Sequence, residues 1–150
     1  MTIRALAVTG ILALTLLSAC ATSGPKFSDM TAEMSATSKP GVGRIYFYRT
    51  SVLGAAVQPE VRLNGQAVGH AIPQGFFFVD CPPGNYEVST STEVERKLTF
   101  TMEADQTRYV RLNISMGFLV GHVYGDLVDE AKGRSEITAT RYTGFPIPKP

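Results

Sequence analysis

The sequence predicts an all-β fold, an antiparallel β-sandwich of about seven to eight short strands. Three observations carry this. From Gly43 onward apolar residues recur with a period of two, turn residues recur roughly every 8–12 positions, and no segment shows a convincing amphipathic-helix pattern.

The first strand is Arg44-Ile-Tyr-Phe-Tyr-Arg49, with Ile45 and Phe47 on one face and Tyr46 and Tyr48 on the other. Such a strand is covered on both faces. In Pro59-Glu-Val-Arg-Leu-Asn64, Val61 and Leu63 point inward, and Asn64-Gly65 then forms a tight hairpin, because both residues accept φ > 0. The return strand, Gln66–Ala71, is short. Gly75-Phe-Phe-Phe-Val-Asp80 is a near-continuous apolar run bounded by Gly75 and by Pro82-Pro83-Gly84, so it reads as a central strand. Tyr86–Ser91 alternates again. Leu98, Phe100 and Met102 form the next inward row, and Asp105-Gln106 turns the chain into a strand lined by Val110, Leu112 and Ile114. Phe118–Leu127 is apolar among glycines, so its shape is left open. Asp129-Glu-Ala-Lys-Gly133 reads as a polar turn and Glu136–Tyr142 as a last strand or edge piece. Short hairpin connections imply antiparallel pairing throughout. Gly84 is expected at positive φ.

The flanks differ in composition. Residues 143–150 are proline-rich and cannot join a sheet. Residues 20–42 are rich in Ser, Thr, Ala and Gly, a tether composition. Ser28 as a cap, with Met30 and Met34 at i, i+4, also allows a short helix over Ser28–Ser35. A flexible spacer that contributes nothing to the core is the expectation. Ahead of it, Arg4, the apolar run Ala5–Leu17 and Leu17-Ser-Ala-Cys20 have the layout of a secretory signal peptide. That run is short against the roughly 20 residues needed to span a bilayer. The segment resembles the lipobox of a bacterial lipoprotein, which implies cleavage after residue 19 and lipid on Cys20. The chain then divides into a signal peptide (1–19), a lipidated tether (20–42), a sandwich (43–142) and a tail (143–150).

Removing residues 1–19 takes Arg4 from the 14 Lys+Arg and nothing from the 13 Asp+Glu, leaving a formal balance of zero. Neither nucleic acid nor anionic lipid is served by such a surface, so membrane affinity falls to the lipid. Lipidation also leaves Cys81 as the one remaining cysteine. It is expected to be a buried small hydrophobe.

Gly43-Arg-Ile-Tyr-Phe-Tyr-Arg49, Val61-Arg-Leu-Asn-Gly65, Pro83-Gly-Asn-Tyr86 and Thr107-Arg-Tyr-Val-Arg111 together resemble a family of small Gram-negative lipoproteins filed as Domain of Unknown Function 2846. The likeness spans roughly Gly43–Ile137. The Asp80–Val88 stretch is also similar to the Pro-Gly-x-Tyr turn of PEGA and carboxypeptidase-regulatory modules. What these resemblances imply is an envelope β-sandwich, without implying a reaction. Since Ala21 and not Asp follows Cys20, the lipoprotein likeness further implies sorting to the outer membrane, on the periplasmic leaflet.

Chemistry is sparse. His70 and His122 have no ligand-spaced partner, so no metal site or cofactor is expected. Gly117-Phe-Leu-Val-Gly121 follows a strand, and spaced glycines hold phosphate only at a helix start. Asp80 is expected to accept backbone N–H groups in its turn. Asp126, Asp129 and Glu130 cluster as an acid–base pair or cation site would, but a solvated turn is the plainer reading. Arg44, Tyr46, Tyr48, Arg108, Tyr109 and Arg111 form the candidate interaction surface, an outward Arg/Tyr face of the kind enriched at protein interfaces. No catalytic residue is expected. The leading expectation is a lipid-anchored, non-catalytic envelope module that binds an envelope protein or peptidoglycan. A sandwich binding a small apolar ligand in a cleft near Phe76, Phe77 and Phe78 is the alternative, and a carboxylate-dependent hydrolase the remote one.

Overall fold

The computed structural model describes residues 22–36, 39–116 and 121–144. Cys20, its leader and the end of the tail lie outside the described residues. Strand residues form two sheets, in agreement with the expected sandwich. One is five-stranded, in the order β8-β7-β1-β4-β9, from β1 (Gly43–Tyr48), β4 (Gly75–Cys81), β7 (Thr107–Met116), β8 (Gly121–Val128) and β9 (Arg141–Tyr142). The other is four-stranded, in the order β3-β2-β5-β6, from β2 (Glu60–Leu63), β3 (Gln66–His70), β5 (Gly84–Thr90) and β6 (Glu93–Met102). Two helices, α1 (Phe27–Ala36) and α2 (Glu130–Ile137), complete the described elements.

The alternation read from the sequence places the interior. Ile45, Phe47, Val61, Leu63, Phe77, Val88, Met102, Val110, Leu112 and Val123 pack between the sheets. Leu98, Phe100 and Ile114 join them at the edges. The Phe47 and Phe77 rings stack at 4.9 Å across the β1–β4 pair. Asn64 and Gly65 turn the β2–β3 hairpin with φ of 49° and 80°, the doubly positive pair that a two-residue turn requires. Gly84 has the expected positive φ, at 158°, near fully extended backbone. Cys81 is buried in the interior, and burial pushes its thiol pKa up.

Three expectations are overturned. Pairing is not antiparallel throughout: β1 lies parallel to β7 and β4 parallel to β9. The hairpin argument holds for strands adjacent in sequence. β1 and β7 are joined by the whole four-stranded sheet, ample length for a parallel crossover. Second, Glu130–Ile137 form a helix and not a turn. Asp129 caps α2, its side chain accepting from the Lys132 N–H at 2.9 Å. Gly133, which suggested a turn, sits where α2 crosses Tyr109: a Cβ there would lie 2.3 Å from the ring. Only the last two residues of Glu136–Tyr142 form strand, as an edge piece.

Third, much of the supposed tether belongs to the domain. α1 buries Met30 and Met34, 1% and 3% exposed, against the outer face of the five-stranded sheet. Upstream, Gly24 lies so close to the Tyr142 carbonyl that a Cβ would meet it at 1.9 Å. Tyr142 donates its N–H to the Pro25 carbonyl, and Arg141 Nη1 donates to that of Gly24. The i, i+4 methionines outweigh the small-residue composition because an apolar sheet face lies under them.

Candidate functional site

The six residues of the expected Arg/Tyr surface do not share an outward face. Period two puts Arg108 and Tyr109 on opposite faces of β7, and Arg108 lies at the end of the interior face, donating to the Thr101 carbonyl. The other five occupy the outer face of the five-stranded sheet, which α1 and α2 cover. Arg44, Tyr46, Tyr48 and Tyr109 are buried. Their interface-like composition serves an interface within the chain.

Two polar clamps hold the helices there. Arg44 reaches Asp80 through Nε and Nη2, at 2.6 and 2.8 Å, and its Nη1 donates to the Met34 carbonyl in the last turn of α1 at 2.6 Å. The guanidinium also lies over the Phe78 ring, 4.1 Å from its centroid. A cation is favoured at a helix C-terminus, where carbonyls lack partners. Burial alone would lower the Arg44 pKa, but hydrogen bonds to Asp80 and Tyr46 outweigh it and raise the value. Asp80 thus serves Arg44 and not the turn after it. The second clamp is Glu136 of α2, which accepts from the Tyr48 hydroxyl at 2.7 Å and from Arg111 Nη1 at 3.1 Å. Burial and the hydrogen bond to Glu136 push the Tyr48 pKa well up.

Between the clamps, the helices part over a groove of about 420 Å³. Its floor is the Tyr46–Tyr109 pair, stacked at 5.2 Å and 18°. Phe27, Thr31, Met34 and Ser35 line it from α1, Arg44 and Thr107 from the sheet, and Arg134 and Thr138 from α2 and its C-cap. Desolvation pushes the Tyr109 phenol up to about 12, Arg134 working against it. Arg134 is exposed and bonded to Glu130 at 2.7 Å, a surface i, i+4 pair of small worth. Its side chain can swing toward a ligand at little cost. The groove therefore offers an aromatic floor, hydroxyls at the rim and one movable cation, and its lining includes no carboxylate, imidazole or thiol.

The sequence points to three of these residues, Arg44, Tyr46 and Tyr109. It misses the helical ones because the composition of residues 20–42 suggests a tether and that of Asp129–Gly133 a turn. The spacing of Met30 and Met34 was the available signal.

The remaining candidates are dispersed. Asp126 on β8 accepts from Asn113 at 2.6 Å and Arg96 at 3.3 Å, Asp129 caps α2, and Glu130 pairs with Arg134. Each of the three thus has a different structural partner. Phe76, Phe77 and Phe78 do not open a cleft: Phe77 is in the sandwich interior, Phe76 packs on Phe27 and Tyr142, and Phe78 lies under Arg44. His70 is exposed on β3, and His122 Nδ1 lies 2.7 Å from the Thr92 carbonyl. Among the described residues no three His, Cys, Asp or Glu side chains are grouped to hold a metal ion, and no helix is long and apolar enough to cross a membrane. Gly117–Val120 lie outside the described residues. A second depression, about 450 Å³ over β5 and β6, is lined by amides already engaged: Asn64 Oδ1 accepts from the Glu87 N–H and Asn85 Oδ1 from Thr101.

Residues 39–125 match the model of the family described as Protein of unknown function (DUF2846), more than half of the chain. A protein of Haemophilus influenzae, described as an uncharacterized protein, is 28% identical over 127 residues, covering 82% of this chain and 75% of its own length. No solved structure matches. The chain belongs to the DUF2846 family, as its four motifs implied.

Proposed function

We propose that this member of the DUF2846 family is a lipid-anchored protein of the outer membrane, facing the periplasm, whose sandwich is a non-catalytic binding module. The groove between α1 and α2 is its ligand-contacting site. The lining of that groove carries the reading: a stacked tyrosine floor, hydroxyls at the rim and Arg134, with no carboxylate or imidazole beside those hydroxyls to activate them. Such a lining suits a short segment bearing rings and hydrogen-bond acceptors, such as a peptide strand or a glycan of the cell wall. The anchor rests on the lipobox-like Leu17-Ser-Ala-Cys20, and the outer-membrane assignment on Ala21.

Two measurements test it. Cys20→Ser should abolish labelling by radioactive palmitate, and labelling that persists would refute the anchor. For the groove, a photo-crosslinker at exposed Ser35 should capture a defined envelope component, and Thr138→Arg should block capture by filling the opposite wall. Capture unaffected by Thr138→Arg would remove the groove as the site.

A further inference from the structure

One end of the sandwich is unlike the rest of the surface. Val52, Leu53 and Met116 are exposed by 61%, 56% and 66%, and they gather where β1 gives way to the loop of residues 50–58 and where β7 ends. Gly54 and Gly121 both abut Ile114, two residues before Met116, which brings loop and strand end together. Scattered apolar residues are ordinary on a surface, but a cluster usually meets something.

The loop is held in this posture by a costly device. Arg49 is fully buried at the end of β1, and among the described residues its guanidinium meets carbonyls and no carboxylate. Nη2 donates to the Leu53 and Gly54 carbonyls, and Nη1 donates to those of Val57 and Ala71. Burying a guanidinium without a counter-ion is expensive, and desolvation lowers its pKa. The result is a rigid loop that keeps Leu53 facing solvent.

The same end receives the N-terminal segment. In the five-stranded sheet, Tyr48, Arg111 and Phe76 lie level with one another, and Gly75, next to Phe76, pairs with Arg141. Thr22, Lys26, Gln74 and Arg141 line one shallow cavity at that level. Met116 extends about 17 Å farther in the same direction, at ~3.4 Å per residue. A single residue, Ala21, separates Thr22 from Cys20. Four residues lead from Gly24, which Arg141 holds, to Cys20, a reach of at most ~14 Å, so the lipid would enter the membrane near this end.

We propose that the end of the sandwich bearing Val52, Leu53 and Met116 rests on the bilayer that holds the lipid anchor, with those three side chains entering its interfacial region. This rests on the anchor reading above. The domain then stands on its membrane in one orientation, with the far end of the sandwich, at the β6–β7 turn, pointing away.

The test uses the full chain, processed in its host and reconstituted into vesicles of phosphatidylethanolamine and phosphatidylglycerol containing brominated acyl chains. An environment-sensitive fluorophore is placed at Leu53→Cys, Met116→Cys or, at the far end, Glu103→Cys; Cys81 is buried. The expected result is flotation with the vesicles, with blue-shifted and bromine-quenched emission at 53 and 116 and neither at 103. Flotation without quenching at 53 and 116 overturns the docking and leaves the anchor standing. Failure to float, with Cys20 open to the fluorophore, overturns both. A blue shift that follows protein rather than lipid concentration overturns the docking in favour of a second copy of the chain.

Discussion

The five-stranded sheet has an aliphatic inner face and an aromatic, charged outer one. Inside, Ile45, Phe47, Val110 and Leu112 meet the side chains of the other sheet with nothing to satisfy but shape. Outside, Tyr46, Tyr48, Tyr109 and Arg44 meet two short helices through hydrogen bonds and ion pairs as well as packing. The inner contact is continuous. The outer one is interrupted, because two helices of 10 and 8 residues cannot tile a sheet held by five strands. The groove is that interruption, so the binding feature follows from covering a polar-aromatic face with few elements.

The sharpest way to break the comparison is to open the inner face. Phe47→Ala removes a fully buried ring stacked on Phe77 and should cost about 3–5 kcal/mol in chemical denaturation. The whole domain should unfold in one transition.

Next is α1. Met30→Ala should cost about 2–4 kcal/mol by cavity formation, measured in the same denaturant. A mere tether would give no change, so an unaltered midpoint would detach α1 from the fold.

Alkali separates the faces chemically. Tyr48, Tyr109 and Tyr142 all carry pKa values raised by burial, and all belong to the outer cluster. A group whose folded pKa is raised favours folding fully below its unfolded value. Stability is therefore flat below about pH 10 and falls above it, by on the order of 2–3 kcal/mol for Tyr109 alone by pH 12. Denaturation midpoints against pH, with the ultraviolet absorbance of ionised tyrosine, would follow the loss. A phenolate signal near pH 10 that disappears in Tyr109→Phe, with the protein still folded, would contradict the burial of Tyr109.

The smallest effect is Asp129→Ala. Losing the cap of α2 should cost about 1 kcal/mol. The loss should be localised, with faster amide exchange in residues 130–137 and none in the inner strands.

Much of the inner face was legible in the sequence. Side chains in a strand alternate whatever its neighbours are, so Val61, Leu63, Val110 and Leu112 announce their face locally. Asn64-Gly65 announces its turn because φ > 0 is a property of those two residues. Cys81 follows from the apolar run that contains it.

The outer face was not legible in that way. Alternation shows that Tyr46 and Tyr48 share a side, but not what lies against them. That cover comes from residues 27–36 and 130–137, far from each other in sequence, and it decides whether an Arg/Tyr row is surface or interior. Gly133 suggests a turn until the Tyr109 ring beneath it supplies a reason for a helical glycine. The parallel β1–β7 pairing likewise depends on a crossover through the whole second sheet. Sequence alone determined the alternation of the inner strands and the Asn64-Gly65 turn, because those follow from local sterics and period. Tertiary structure decided what covers the outer face and where it stays open, because those contacts join segments that no local rule connects.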